Sequence, residues 1–193
     1  MDPRVIELHC IMPIGNIASV LAEGILSHER ASKLKHSSVA MQMMQDKRDV
    51  KSVPSGLKLH QYANLYFHAR NPMLFKRRYE DVCVVRVSTG VLGLAGTVIT
   101  DQNAASNYVR FLAPAQWQQL DFDDIYARDW THPDDTIRGW QHKSRKCAEV
   151  LVAHRVLPAM LVGAYVVDES AQTRVLQAGF LLPVSINTDF FFR

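Results

Sequence analysis

Four positions in this sequence have side chains able to act together: His9, Arg48, the Tyr66-Phe67 pair and Glu149. They do not make a hydrolytic triad. There is no GxSxG or HExxH motif, and no second carboxylate stands at a defined spacing from Glu149. The set suits chemistry on a cationic, pyrophosphate-bearing cofactor. Arginine holds a pyrophosphate through forked, charge-assisted hydrogen bonds. Aromatic rings stack on nicotinamide. A carboxylate can hydrogen-bond a ribose hydroxyl and stabilise the oxocarbenium ion that forms as nicotinamide leaves. Each residue also has an ordinary structural use on its own. His9 reads as a satisfied core histidine and Arg48 as a surface arginine.

The elements that must position them follow from pattern. Residues 5–14 (VIELHCIMPI) read as a first strand carrying His9. Residues 16–24 read as a short helix, with Gly24 as its stop. Residues 27–53 are polar and mixed, an exposed loop with a short methionine-rich helix over 40–49 that ends beside Arg48. The stretch 56–78 (GLKLHQYANLYFHARNPMLFKRR) is the most irregular. Its apolar Leu65-Tyr66-Phe67 run breaks into Asn71-Pro72, where proline pushes Asn71 toward an extended or turn conformation. Lys76, Arg77 and Arg78 close it, a pattern that presents a site at a sheet edge. The plainer reading of the same stretch is a buried strand and a solvated turn.

Residues 82–88 (VCVVRVS) read as a strand covered on both faces, and 97–100 as another. Residues 101–106 read as a polar turn, and 116–130 as short helices around a satellite core. The polar, basic segment 131–146 reads as a surface loop. Residues 147–152 form a strand holding one carboxylate, Glu149, which is costly there unless paired. Further strands are expected over 159–167 and in the aromatic tail 180–192. This order is α+β rather than an alternating parallel fold.

Length and composition bound the rest. A chain of 193 residues, 48% hydrophobic, forms one ordinary domain, residues 1–193. A net charge of +3 permits a polyanionic partner without demanding one. Three cysteines with no CxxC spacing speak against a disulfide framework or a thiolate zinc site. There is no signal peptide, membrane-span-length apolar run, internal repeat, P-loop or GxGxxG. The expected protein is soluble, cytoplasmic and metal-free.

Several segments in order, LHCIMPIGN, GILSHERA, SVAMQMMQDKR, LHQYANLYFHARNPMLF, ITDQNAAS, DWTHPDD and KCAEVLV, resemble the DarT family (DUF4433-type) of DNA ADP-ribosyltransferase toxins. The resemblance runs from about residue 8 to the aromatic tail. It implies the ADP-ribosyltransferase fold, a mixed, split β core with short helices around an NAD cleft. It further implies transfer of ADP-ribose from NAD to a base of single-stranded DNA, with thymine ahead of guanine. It implies an antitoxin partner of the ADP-ribosyl-hydrolase macrodomain type. By position, Glu149 matches the catalytic glutamate and Arg48 its paired arginine. His9, Ile11, Asn16, Arg48, Tyr66 and Phe67 fall at cofactor-contacting positions. Arg70, Lys76, Arg77, Arg78 and Arg145 are the expected nucleic-acid contacts, with unstacked bases lying on exposed aromatics. Met12 stands where a threonine is expected, and Cys147 where many members have glutamine. The alternatives are the same transfer to RNA or protein, or an inactive NAD- or nucleic-acid-binding module. The central requirement is spatial: the first, methionine-rich and late segments must converge, so that an acid, a guanidinium and an imidazole surround one dinucleotide.

Overall fold

The computed structural model describes residues 1–34, 48–49, 51–54 and 56–193. The first strand, β1 (Leu8–Pro13), leads through a 3-10 turn into helix α1 (Ile17–Glu23). Gly24 ends α1 at φ +83, and a Cβ there would meet the Val156 carbonyl oxygen at 2.0 Å. Only glycine fits so close an approach in that backbone region. Strand β2 (Ile25–Leu26) and the Ser27-capped helix α2 (His28–Ala31) follow. The expected methionine-rich helix lies outside the described residues except for Arg48 and Asp49.

Strand β3 (Tyr62–Tyr66) precedes helix α3 (Pro72–Arg77). Asn71 adopts the extended conformation that proline demands, and its side chain caps α3 by accepting from the Met73 and Leu74 amides. Then come β4 (Val82–Val87), β5 (Val98–Thr100), β6 (Phe111–Leu112), α4 (Phe122–Tyr126) and α5 (Thr136–Arg145). The chain closes with β7 (Glu149–Ala153), β8 (Arg155–Val156), β9 (Leu161–Val166), α6 (Glu169–Gln177) and β10 (Val184–Ile186).

Among the described residues, eight strands form one sheet in the order β10-β9-β4-β1-β3-β7-β5-β6, and β2 pairs with β8 separately. Only the β9–β10 pair of the large sheet is parallel. This is the expected α+β class with a mixed sheet. Alternation sorts the strand residues onto two faces. One face carries Leu8, Met12, Leu65, Val85, Val150 and Val152, packed with Ile17, Phe122, Val175 and Phe180 in the main core. The other face divides into two smaller clusters. One contains Ile11, Tyr66, Leu74, Val84 and Phe191, the other Val53, Leu59, Tyr62 and Leu151.

Four sequence expectations change. The 56–78 stretch does not reach a sheet edge, because β3 lies in the interior between β1 and β7. The expected surface loop over 131–146 contains a ten-residue helix, α5, whose start is fixed by the Asp135 side chain accepting from the Arg138 amide. No satellite core forms over 116–130, since Leu120, Phe122 and Ile125 belong to the main cluster. Helix α6 has no counterpart in the sequence reading. Its Ala171 and Val175 are an i, i+4 pair buried against the sheet.

Candidate active site

Strand register builds the site. His9 pairs with Tyr66 across β1 and β3, and Tyr66 pairs with Glu149 across β3 and β7. Paired residues of antiparallel strands share a face, so imidazole, phenol and carboxylate stand in one row on the second face. With strands spaced about 4.8 Å apart, His9 and Glu149 are roughly 10 Å apart at the backbone, with Tyr66 between them.

Glu149 is fully buried, and all its acceptor capacity is engaged. Nη1 of Arg48 donates to Oε1 and Oε2 at 3.2 and 3.1 Å, and Nη2 donates to Oε2 at 3.1 Å. The Ala104 amide donates to Oε1 at 3.0 Å. The Glu149 amide donates to Thr100 Oγ1, which fixes β7 against β5 at this residue. Burial works against the charge of Arg48, but Glu149 beside it prevails and raises the guanidinium's pKa above the ordinary arginine range. Arg48 is therefore not the surface arginine its isolated position suggests: its side chain is only 11% exposed. Burial, reinforced by Glu149, pushes the Tyr66 phenol well above its usual value, so it remains a neutral O–H.

A cavity of about 1600 Å³ opens over this face. Ile11, Asn16, Arg48 and Tyr66 line it, as do Arg70, Lys76 and Arg78. Met12 and Cys147, the two departures from the family pattern, also reach its wall. Burial pushes the Cys147 thiol up to about 12, so it presents a neutral S–H. Glu149 itself does not line the cavity; Arg48 does.

Acid and guanidinium are in direct contact, and the imidazole stands in the same row of the sheet; like Glu149, it is not itself on the cavity wall. His9 is 4% exposed, with Nδ1 at 3.2 Å from the Phe67 carbonyl oxygen and Nε2 at 3.3 Å from Glu7. Phe67 is also absent from the lining, because it is fully buried against Phe122 in the main core. Two of the expected nucleic-acid contacts are not on the cavity either. Arg77 pairs with Glu80, and Arg145 with Asp124 and Asp121. Of the remaining three, Arg70 donates to the Asp189 carbonyl and lies over the Phe192 ring. Arg78 lies over the Phe75 and Tyr79 rings.

Glu7 anchors the His9 network. Burial would raise its pKa, but hydrogen bonds from His9, Tyr165 and Arg86 outweigh burial and hold it at about 2. A carboxylate depressed from its ordinary 4.5 contributes stability that is fully present above that value and lost as pH falls toward about 2. Glu7→Gln is expected to cost about 2 kcal/mol near neutral pH, after allowance for the partly exposed Arg86. Urea unfolding should show that difference roughly halving between about pH 5 and about pH 3. A difference that stays constant over this range contradicts the assignment.

Lys146 is a further correction, because the sequence placed it in a solvated basic loop. It is fully buried, and its ammonium donates to the Ile125 and Ala127 carbonyls at 2.9 and 2.6 Å. His68 Nδ1 is 3.1 Å away. Burial lowers Lys146 to about 8 and, aided by Lys146, lowers His68 to about 3, so the imidazole accepts. Sequence reasoning also missed Asn64, Tyr108, Trp130 and Trp140, which line the cavity. The alternation of β3 signals Asn64, two residues from Tyr66. Nothing local signals the others. Among the described residues, no group of three or more His, Cys, Asp or Glu is placed to hold a metal ion. No helix there is long and apolar enough to cross a membrane.

A fusion of a DNA ADP-ribosyl transferase with a DNA ADP-ribosyl glycohydrolase, from Thermosipho africanus (strain H17ap60334), is 29% identical over 207 residues. The match covers 100% of this chain and 51% of the fusion, so the chain spans about half of that relative's length. A DNA ADP-ribosyl transferase from Thermus sp. (strain 2.9) is 28% identical over 174 residues, covering 83% of this chain and 80% of the relative. The structure of Thermus sp. 2.9 DarT in complex with ADP-ribosylated ssDNA superposes with a TM-score of 0.83 at 24% identity, covering 97% of each chain. The same protein in complex with NAD+ gives 0.78 at 22% identity, covering 98% of this chain and 99% of the other. These two likenesses establish the shared fold. The DarT family profile, described as ssDNA thymidine ADP-ribosyltransferase, matches residues 9–192, and the chain belongs to that family.

Proposed function

We propose that residues 1–193 act as a single transferase domain that moves ADP-ribose from NAD to thymine in single-stranded DNA and releases nicotinamide. The observation that carries this reading is the buried Arg48–Glu149 pair at the wall of the large cavity. The family description and the ADP-ribosylated ssDNA bound to the Thermus relative support it.

Balanced chemistry then constrains the roles. The bond from the ribose anomeric carbon to nicotinamide breaks, nicotinamide leaves neutral, and positive charge develops on the ribose. Glu149 orients a ribose hydroxyl and stabilises that charge. Both of its oxygens are already taken by Arg48 and Ala104, so engaging the ribose requires Arg48 to give up part of its fork. The freed guanidinium is placed to contact cofactor phosphate, or a thymine carbonyl. Thymine N1 carries the deoxyribose, so N3 is the ring nitrogen that forms the new bond to the anomeric carbon, and its proton passes to water in the open cavity. Polarising a neighbouring carbonyl makes that proton easier to remove. Ile11, Asn16 and Tyr66 line the cofactor's path, while Arg70, Lys76 and Arg78 supply positive charge for the strand.

The Thermosipho fusion supports an ADP-ribosyl glycohydrolase as the opposing partner, which would make this chain the toxin of a toxin–antitoxin pair. Its working compartment on this reading is the cytoplasm. The test is incubation with labelled NAD and separate single-stranded DNA, RNA and protein pools, with nicotinamide release followed in parallel. Label is expected on thymine-containing single-stranded DNA alone. Label on RNA or protein, or no nicotinamide release at all, overturns the proposal.

A further inference from the structure

Helix α5 divides into two faces with opposite tasks. Arg138, His142 and Arg145, at i, i+4 and i+7, turn inward onto Asp124. Trp140, Lys143 and Ser144, at i, i+3 and i+4 on the opposite side, line the cavity. Trp140 is 70% exposed, and its ring makes no contact with another ring among the described residues. On the loop that also supplies the Ala104 amide to Glu149, Tyr108 lines the same cavity and is 87% exposed.

Two large rings held in water on separate, well-anchored elements lose hydrophobic stabilisation that a folded monomer ordinarily collects. Their surroundings carry positive charge: Lys76, Arg78, Arg128 and Lys143 line the same cavity. One carboxylate, Asp129, lies among them, with its oxygens occupied by the Thr131 amide and hydroxyl. Aromatic faces interleaved with cations match a flexible polyanion whose flat bases are unpaired.

We infer that Trp140 and Tyr108 are stacking residues for the nucleotides that flank the acceptor base, with Lys143 contacting the intervening phosphate. This inference rests on the single-stranded DNA reading above. Stacking tolerates any base identity, so the pair sets the length of strand required rather than its sequence.

The test uses the full chain with NAD and either thymidine monophosphate, which has no flanking nucleotide, or a thymine-containing oligonucleotide of about ten nucleotides, a length within the usual single-strand site sizes. Trp140→Ala and Tyr108→Ala should each raise KM for the oligonucleotide about tenfold, leave KM for NAD in place, and barely alter the poor KM of the mononucleotide. Trp140→Phe should restore most of the loss, which a merely structural role would not predict. Unchanged KM for the oligonucleotide in both alanine variants, with wild type labelling DNA normally, overturns this inference alone. Failure of the wild type to label single-stranded DNA overturns the transferase reading and this inference together.

Discussion

Glu149→Gln is expected to reduce ADP-ribose transfer to DNA by about a thousand-fold or more, the effect of removing a charge aimed at the transition state. Glutamine keeps the side-chain volume and can still accept the Ala104 amide through its carbonyl oxygen. It cannot satisfy both arms of the Arg48 fork, and its amide nitrogen points a donor at a guanidinium. Breaking a buried pair costs about 3–5 kcal/mol, but Arg48 lies at the cavity wall and regains some hydration there. A stability loss of about 1–3 kcal/mol is therefore expected, small enough to leave a folded protein that still binds NAD. Incorporation of labelled ADP-ribose, with thermal unfolding measured on the same sample, checks both parts. Transfer within tenfold of wild type would remove Glu149 from the chemistry. Arg48→Lys should resemble it, because lysine keeps the charge but not the planar fork.

The second large effect is expected at Asp124, remote from the acid–guanidinium pair. Its buried carboxylate accepts from Arg138 at 2.6 and 2.8 Å and from Arg145 at 2.8 Å, and its backbone carbonyl meets His142. Burial raises the pKa of this carboxyl, but the two guanidiniums outweigh burial and hold it below the usual carboxylate range. Asp124→Ala leaves two arginines facing each other and unfastens α5 from α4. Both arginines are about one third exposed, so the cost is discounted from the value for a dry pair to about 2–3 kcal/mol. For a chain of this size that corresponds to a fall in Tm of roughly 5–10 °C. KM for DNA should rise as well, because Trp140 and Lys143 ride on the same helix. A thermal shift without a KM change would separate α5 from the strand-binding surface.

The strands were legible because alternation and β-branching are local signals. β4, β7 and β9 form within a residue or two of where the pattern puts them, and β1 begins three residues later than expected. The extended backbone of Asn71 before Pro72 was legible for a similarly local reason, but the helix that Asn71 caps was not. Helix α5 was not, because its apolar residues are few and its inward face is charged. Arg138 and Arg145 are turned inward by an aspartate that lies outside the helix, and periodicity cannot show that. Lys146 was misread in the same way, as its partners are carbonyls brought in by tertiary folding. The cost of an isolated Glu149 in an apolar strand correctly demanded a partner, but not which cation would supply it. Only the register of three strands shows that His9 occupies the same row as Tyr66 and Glu149.

That row has a temporal consequence. Its members come from the opening, the middle and the last third of the chain, and a one-residue slip in either pairing would turn a member toward the opposite core. While β7 is still inside the ribosome, the emerging polypeptide holds the arginine but not the acid it needs. The cell making this protein therefore meets the reactive pair only after translation has passed β7 and the central strands have closed.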